Sequence, residues 1–335
     1  MTNGPENAAR PKRRVAVIGG ASSGIGRATA ERFAALGWRL VLAARDAGEL
    51  ETLADTLRDR GGEVCVVPTD IGDAAAVRAL AAAALAFGGT IDLWFANVGV
   101  GAVGRFEEVP VEAHEQVLRT NLIGHLYEAH AALPIFLRQG HGVFVNMISM
   151  VGFAAAPLAA AYSASKFGLR GLSESLRAEM AAYPRIHICD VYPALVDTPA
   201  LDHAANYTGK AIHPPTPMLD PRRVAEAVVR LADHPRATTL VGAQNWGVRA
   251  VHALAPTLSL KLVDRWFEGY FAVAKKAPAG NGNLFQPPGD TPRVDGGYRK
   301  PRTRRLPLLI TAGILAVIGG AALLHVRGVA SAKRA

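Results

Sequence analysis

The stretch VAVIGGASSGIG, residues 15–26, joins a short apolar run to a glycine-rich turn and then to a helical pattern. Glycines let a backbone approach a pyrophosphate closely, and the N-terminus of the following helix offers free N–H groups and the positive end of a dipole. We therefore predict a strand, a phosphate-binding turn and a helix, with an ordinary tight turn as the alternative. The turn contributes the candidate cofactor-binding residues Gly20, Ser22, Ser23, Gly24, Ile25 and Gly26.

The rest of residues 14–274 repeats this alternation of short apolar runs and longer, alanine-rich helical segments. Continuous apolar strands separated by helices are typical of a parallel sheet covered on both faces. The pattern predicts an α/β fold, a Rossmann-type doubly wound parallel sheet in a single domain. The predicted strands are residues 15–19, 39–43, 64–67, 91–95, 142–148, 186–191 and 238–242.

The formal net charge of +9 is concentrated at the two ends of the chain. Residues 291–335 carry nine lysines and arginines against one acid, residues 1–14 carry four against one, and residues 15–290 are close to neutral at −2. This distribution argues against a nucleic-acid surface on the domain and favours an anionic membrane near the C-terminus.

Cysteine and histidine usage points to neither disulfides nor metal. Cys65 and Cys189 each lie in a short apolar run, so we expect buried small side chains, no disulfide framework and a reducing compartment. The ten histidines are scattered, with no HExxH motif and no Cys/His cluster, and we expect no metal site.

The chain changes composition twice beyond residue 274. Residues 275–305 are rich in Pro and Gly and poor in large apolar side chains, which predicts a flexible linker. Residues 306–324 are almost entirely apolar and would span roughly 28 Å as a helix, close to a hydrocarbon core. We expect a transmembrane helix over 306–326, with a buried core helix as the alternative. Short basic tails are expected at 1–13 and 327–335.

Basic residues are more frequent just before this apolar segment than just after it, with six against three. Positive charge favours the cytoplasmic side. We therefore expect a single-pass membrane protein whose catalytic domain lies on the cytoplasmic side.

Two polar residues follow the second and third predicted strands. A site for NAD usually has an acid at the tip of the second strand to bind the ribose 2′-hydroxyl, but here Ala44 is followed by Arg45. An arginine can pair with a 2′-phosphate, so Arg45 favours NADP(H), unless it is simply solvated. Asp70 is a candidate partner for the adenine amine, or else a helix cap.

The segment AYSASKFG, residues 161–168, places Tyr162 and Lys166 one helical turn apart on a common face. Reduction of a carbonyl needs a proton for its oxygen, and a phenol with a pKa near 10 exchanges protons poorly at neutral pH. A neighbouring ammonium group favours the phenolate, so we expect Lys166 to lower the pKa of Tyr162. Taken alone, the pair also fits an ordinary aromatic residue and a surface lysine.

Residues 14–250 resemble the short-chain dehydrogenase/reductase family in the order and spacing of several motifs. GGASSGIG resembles the family's TGxxxGIG, with Gly19 where threonine is usual, and DLWFANVG resembles DxxxNNAG, with Ala96 for the first asparagine. PALVDT resembles PGxxxT, with Ala194 for glycine. The family's YxxxK signature is matched by residues 162–166.

The resemblance also implies roles for individual residues. Tyr162 is the general acid/base, Lys166 holds the nicotinamide ribose, Ser149 binds the substrate oxygen, and Asn121, on the long fourth helix, holds a water that passes protons to Lys166. The catalytic set is thus Asn121, Ser149, Tyr162 and Lys166. Tyr162 and Lys166 are also expected to bind the cofactor, and the further cofactor-binding residues are Asn97, Gly99, Pro193 and Thr198, of which the last binds the carboxamide. Homodimers or homotetramers are usual in the family.

The substrate is expected to be lipophilic. The residues near the predicted site are apolar, and the proline-containing loop at 195–219 is the expected lid. Residues 246–274 predict one or two helices that either pack on the domain or lie at a membrane surface. The apolar residues near the site are Met150, Val151, Phe153, Pro157 and Leu158.

The sequence therefore predicts an NADP(H)-dependent oxidoreductase that transfers a hydride between nicotinamide and a lipophilic carbonyl or alcohol. One alternative is a membrane-anchored NADP(H)-binding sensor or scaffold without turnover, which would not need four catalytic residues. The other is an NAD-dependent alcohol dehydrogenase.

Overall fold

A parallel sheet is the centre of the molecule in the computed structural model, which describes residues 13–212, 217–289 and 292–299 but not the side chain of Trp266. The strands are β1 (Val15–Gly19), β2 (Arg39–Ala44), β3 (Glu63–Pro68), β4 (Leu93–Ala96), β5 (Ala102–Val103), β6 (Gly142–Met147), β7 (Ile186–Pro193), β8 (Ala205–Asn206) and β9 (Thr238–Val241). In these ranges, seven strands form the sheet in the order β3-β2-β1-β4-β6-β7-β9, and β5 pairs with β8. The predicted Rossmann-type parallel sheet is confirmed.

Helices cover both faces of the sheet. The helices are α1 (Gly24–Ala35), α2 (Ala47–Arg58), α3 (Ala74–Gly88), α4 (Val111–Leu118), α5 (His125–Gln139), α6 (Ala160–Glu179), α7 (Pro221–Leu231), α8 (Gln244–Leu254) and α9 (Pro256–Val273). Apolar side chains of α1, α2 and α7 pack on one face and those of α3 and α5 on the other. Burial of both faces explains why the strands read as continuous apolar runs.

The strand order reverses next to β1, which pairs with β2 on one side and with β4 on the other. Connections leave the two strands in opposite directions there, and a crevice opens at their carboxyl ends. The glycine turn after β1 and the segment after β4 both border this crevice.

The strand boundaries predicted from the sequence agree with the structure to within two residues. The cysteines are both free thiols, Cys189 buried and Cys65 half-buried. The helix α7, which follows the expected lid, begins at Pro221, and the side chain of Asp220 caps it by accepting from the N–H of Arg222.

The compact domain extends to Tyr298, beyond the boundary at residue 274 that the composition predicts. In the part of the predicted linker that the structure describes, Leu284 and Val294 are buried against the domain. These two apolar residues attach the Pro- and Gly-rich segment to the domain. The average composition of the segment does not reveal them.

The helices α8 and α9 contact each other more than the sheet. No side chain of α9 that the structure describes is fully buried, and Leu254 and Val273 are 84% and 85% exposed. Core packing of this segment, one of the two alternatives, is therefore slight. No helix in the described ranges has the length and apolar character to cross a membrane. The transmembrane helix predicted at 306–326 lies outside those ranges, as do residues 1–12 and 327–335.

Candidate active site

The turn between β1 and α1 has the conformation that its glycines predict. Gly20 and Gly24 have φ angles of +64° and +54°, in the left-handed region that favours glycine. A Cβ on Gly26 would lie 1.9 Å from the carbonyl oxygen of Gly20. Asn97, which directly follows β4, donates from Nδ2 to the carbonyl of Gly19 at 3.3 Å and thereby ties the turn to the end of that strand. The turn is thus a compact cradle of backbone that lines the cleft, which suits a pyrophosphate.

A cleft of about 470 Å³ follows the carboxyl ends of the strands from Arg45 at one end to Tyr162 at the other. Most residues that the sequence singled out meet in this cleft. Those that line it are Gly20, Ser22, Ser23, Gly24, Ile25, Arg45, Asp70, Asn97, Gly99, Ser149, Tyr162, Lys166, Pro193 and Thr198. Gly26 and Asn121 lie behind its wall. An elongated dinucleotide fits the cradle and the length of the cleft.

Tyr162 and Lys166 occupy one end of the cleft, on the first turns of α6. The hydroxyl of Ser149 lies beside the phenol of Tyr162, and Ser149 Oγ accepts from the backbone N–H of Val151 at 3.2 Å. Lys166 Nζ donates to the carbonyl of Met147 at 3.0 Å and lies 5.7 Å from the centre of the Tyr162 ring. The three side chains therefore lie side by side at this end of the cleft.

Burial, rather than the charge of Lys166, has the largest effect on the pKa values of Tyr162 and Lys166. Desolvation raises the pKa of Tyr162, and the hydrogen bond with Ser149 opposes part of the increase. Desolvation also lowers the pKa of Lys166 to about 7. The expectation that Lys166 lowers the pKa of Tyr162 is therefore wrong for this arrangement, because the ammonium group is buried and turned toward the sheet.

Asn121 lies on a π-helical turn, Arg119–Gly124, between α4 and α5 and not within one regular helix. Its Oδ1 accepts from the N–H of Val100 at 2.8 Å, and its Nδ2 donates to the carbonyl of Val100 at 2.9 Å. The side chain thereby holds the segment after β4 against the cleft. Turns of this kind are frequent at functional sites. Its role in proton transfer stays a prediction.

The adenosine end of the cleft contains Arg45 and Asp70. Arg45 follows β2, and its Nη2 donates to the carbonyl of Asn283 at 2.7 Å. Burial lowers the pKa of this guanidinium group, and the charge of Asp70 opposes the change. Asp70 does not cap α3, because Asp73 takes that position and accepts from Ala75 N–H. The carboxylate of Asp70 accepts from the N–H of Gly72 at 2.8 Å.

A buried carboxyl group beneath the glycine turn was missed by the sequence analysis. Glu128 on α5 is 0% exposed, and its Oε1 accepts from Trp94 Nε1 at 3.0 Å. A Cβ on Gly19 would lie 2.8 Å from that oxygen. Glycine at this position therefore provides the space that Glu128 needs. The unusual Gly19 was the available signal, but the helical residue that fills the space lies 109 positions away in the chain.

The substrate end of the cleft is mainly apolar. Met150 and Val151 line it as expected, whereas Phe153 stacks on Tyr192 at 4.3 Å instead. Pro157 and Leu158 do not line the cleft. Several lining residues come from the segments after β4 and β7: Val100, Val103, Leu195, Val196, Leu201 and His203.

Dinucleotide cofactors bind at the point where the strand order of such a sheet reverses, and the cleft lies at that point. A buried phenol beside a lysine at one end of it provides a proton donor. Fold and site together define an oxidoreductase that uses a nicotinamide cofactor.

Comparison with known proteins identifies the family. Residues 14–207 match the model of the short chain dehydrogenase family. The uncharacterised oxidoreductase YxnA of Bacillus subtilis is 32% identical over 257 residues, which cover 76% of this chain and 72% of YxnA. The chain belongs to the short-chain dehydrogenase family.

Solved structures of the family agree with this assignment. A short-chain dehydrogenase/reductase from Burkholderia phymatum in complex with NAD is 31% identical, with a TM-score of 0.67 over 74% of this chain and 95% of that one. An alcohol dehydrogenase from Thermococcus sibiricus complexed with 5-hydroxy-NADP is 29% identical, with a TM-score of 0.60 over 68% and 96%. Its relatives thus use both types of cofactor.

Proposed function

We propose that the protein is an NADP(H)-dependent reductase of a lipophilic ketone or aldehyde. The observation that carries this proposal is the meeting of Tyr162, Ser149 and Lys166 at the apolar end of the cleft, where Lys166 Nζ lies 5.7 Å from the centre of the Tyr162 ring. A group in this position can protonate a carbonyl oxygen while a hydride arrives at the carbon.

Each residue has one task in this reaction. Ser149 donates a hydrogen bond to the carbonyl oxygen and positions it beside Tyr162, which releases the phenolic proton to that oxygen. Lys166, whose pKa is about 7, supports reprotonation of Tyr162. The nicotinamide cofactor supplies the hydride when it is bound. Thr198 and Gly99 border the space beside this point.

The choice of a reductase over the NAD-dependent alcohol dehydrogenase considered above rests on Arg45, which lines the cleft after β2 and favours a cofactor that carries a 2′-phosphate. Tyr162 serves both directions, as the phenol that protonates a carbonyl oxygen or as the phenolate that accepts the proton of an alcohol.

A lipophilic substrate reached from a membrane is supported by two features besides the apolar cleft wall. The α8–α9 pair exposes large apolar side chains, and residues 244–276 carry five basic and two acidic residues, which suits an anionic lipid surface. Arg249 of α8 lies over the ring of Phe153 at 4.9 Å, close to the cleft residue Met150. The apolar segment 306–326 is the proposed anchor, with the domain on the cytoplasmic side.

The experiment that tests the function is NADPH oxidation by the full chain in detergent or in anionic vesicles. The substrates are a panel of long-chain and polycyclic ketones and aldehydes. We expect turnover of at least one lipophilic carbonyl, and association of the chain with the vesicles. Tight binding of NADPH with no turnover on any substrate, in detergent or in vesicles, would contradict the reductase and favour the scaffold.

Cofactor choice is tested by replacing Arg45 with aspartate. Arg45→Asp is expected to weaken NADPH binding by about 100-fold, since a charged hydrogen-bond partner of the 2′-phosphate is lost and a repulsive charge is gained. NADH binding should change little or improve. Dissociation constants from cofactor fluorescence measure both effects. Arg78→Asp, at an exposed position on α3, is the matched control. Equal changes in the dissociation constants of NADPH and NADH would contradict the proposal that Arg45 binds the 2′-phosphate.

A further inference from the structure

The segment that follows α9 crosses the cleft. We call residues 281–289 and 292–298 the strap. Leu284, near its start, is 0% exposed and packs in a cluster with Val100 and Val117. The carbonyl of Leu284 accepts from Gln116 Nε2 at 3.2 Å, and the N–H of Asn283 donates to the carbonyl of His203 at 2.8 Å. The first part of the strap is therefore anchored to the wall formed by α4 and the segment after β4.

The same part of the strap holds Arg45 on the opposite wall. Arg45 Nη2 donates to the carbonyl of Asn283 at 2.7 Å and to that of Gln286 at 3.3 Å, while Nη1 donates to the carbonyl of Leu284 at 3.4 Å. Both terminal nitrogens of the guanidinium group are thus engaged by strap carbonyls. Asn283, Pro287 and Pro288 line the cleft beside it.

The second part of the strap is anchored to α1, α7 and the segment after β7. Val294 is buried against Ala28 and Ala225, and Asp295 forms two hydrogen bonds of 2.9 Å with Arg222. The N–H of Tyr298 donates to Asp197 Oδ1 at 2.9 Å. These contacts fix the strap on the far side of the cleft from Leu284.

A strap carbonyl also occupies one of the backbone N–H donors that a bound anion would use. The carbonyl of Arg293 accepts from the N–H of Gly24 at 3.0 Å, at the start of α1. A pyrophosphate is common to both nicotinamide cofactors, so this contact does not distinguish them. Arg45 is different, because only one of the two cofactors carries a 2′-phosphate for it.

We propose that the strap carbonyls of Asn283, Leu284 and Gln286 hold Arg45 in place of the cofactor's 2′-phosphate, so that the strap sets the preference between NAD(H) and NADP(H). Both protons of Nη2 are engaged by the carbonyls of Asn283 and Gln286, so end-on pairing of both terminal nitrogens with a phosphate requires Nη2 to release one of these carbonyls. The strap then stays on Arg45 with NAD(H) and leaves it with NADP(H). This inference rests on the proposed assignment of Arg45 to the phosphate.

The first test loosens the strap in the full chain. Leu284→Ala removes the buried anchor, and Phe285→Ala, whose side chain is 48% exposed, is the matched control on the same segment. Leu284→Ala is expected to tighten NADPH binding by about tenfold, the equivalent of one hydrogen bond to a charged group. NADH binding should stay within about twofold of the unmodified chain. Cofactor fluorescence gives both dissociation constants.

The second test uses the unmodified chain, so it does not depend on the folding of a variant. Amide hydrogen exchange over residues 281–288 is measured without cofactor, with NAD+ and with NADP+. We expect faster exchange with NADP+ and no increase with NAD+. Equal protection of these amides by both cofactors would mean that the strap lines the site but does not set the cofactor preference. Equal weakening of NADH and NADPH binding in Leu284→Ala would mean the same.

The two proposals fail in different ways. If Arg45→Ala leaves NADPH binding unchanged, the assignment of Arg45 to the phosphate is wrong and the strap inference falls with it. If Arg45→Ala weakens NADPH binding but Leu284→Ala and the exchange rates do not discriminate between the cofactors, only the strap inference is overturned.

Discussion

Replacing Tyr162 with phenylalanine is expected to lower kcat by a factor of about 10² to 10⁴, the usual contribution of a general acid. Tyr162→Phe keeps the ring, which is half-buried in the wall of the cleft, and removes only the hydroxyl beside Ser149. Transfer of the hydride would then leave a developing alkoxide without a proton donor. Steady-state NADPH oxidation on the best carbonyl of the panel measures the loss.

Two comparisons separate this chemical role from a structural one. NADPH should bind Tyr162→Phe with an unchanged dissociation constant, because the change leaves the glycine turn and Arg45 intact. Tyr183→Phe, at an exposed position before β7, removes a hydroxyl from the surface and should retain full kcat. Full turnover by Tyr162→Phe would show that the proton comes from another group.

Replacing Glu128 with glutamine is expected to increase the free energy of unfolding, and this increase should become larger as the pH rises. Burial raises the pKa of Glu128 to about 8. A carboxyl group whose pKa is raised on folding does not lower the free energy of unfolding below its unfolded pKa, near 4.5. Above that pH it lowers the free energy of unfolding progressively, until the pH reaches the pKa of the folded state. Glutamine keeps an acceptor for Trp94 Nε1 and carries no charge. The gain should be on the order of 3 kcal/mol at pH 7 and about 5 kcal/mol above pH 8.

The measurement is the free energy of unfolding of the full chain between about pH 4 and pH 9, for the variant and the unmodified chain. Glu115→Gln on α4 is the control, because Glu115 is exposed and its replacement should give a small difference that does not follow this profile. A gain of the same size at all pH values would indicate that packing, and not ionisation of Glu128, is responsible.

The sheet, and the meeting of Ser149, Tyr162 and Lys166 in one cleft, could be predicted because both are carried by local patterns. The apolar runs that became β1, β4 and β6 are short, continuous and separated by helices, which leaves few alternatives. Tyr162 and Lys166 belong to one helical turn, so the distance between them follows from their spacing. The family resemblance then connected them to Ser149.

The strap could not be predicted because its contacts are between residues far apart in the chain. Leu284 and Val294 are single apolar residues in a segment rich in Pro and Gly, and each is matched to a pocket made by distant elements. The partners of Arg45 are backbone carbonyls, which every residue possesses and no pattern reveals. For the same reason, the spacing of residues 162–166 did not show that burial would govern the pKa of Tyr162.

The space at Gly19 makes two distant positions dependent on each other. A threonine at residue 19, as in the family pattern, would bring its Cβ against Glu128 Oε1, whereas a smaller residue at 128 would leave Trp94 Nε1 without its acceptor. A Cβ at residue 19 therefore requires the side chain at 128 to move or become smaller, whereas a change of similar size such as Glu128→Gln keeps the acceptor for Trp94 Nε1. This epistasis means that engineering toward a family consensus must treat residues 19 and 128 as one unit.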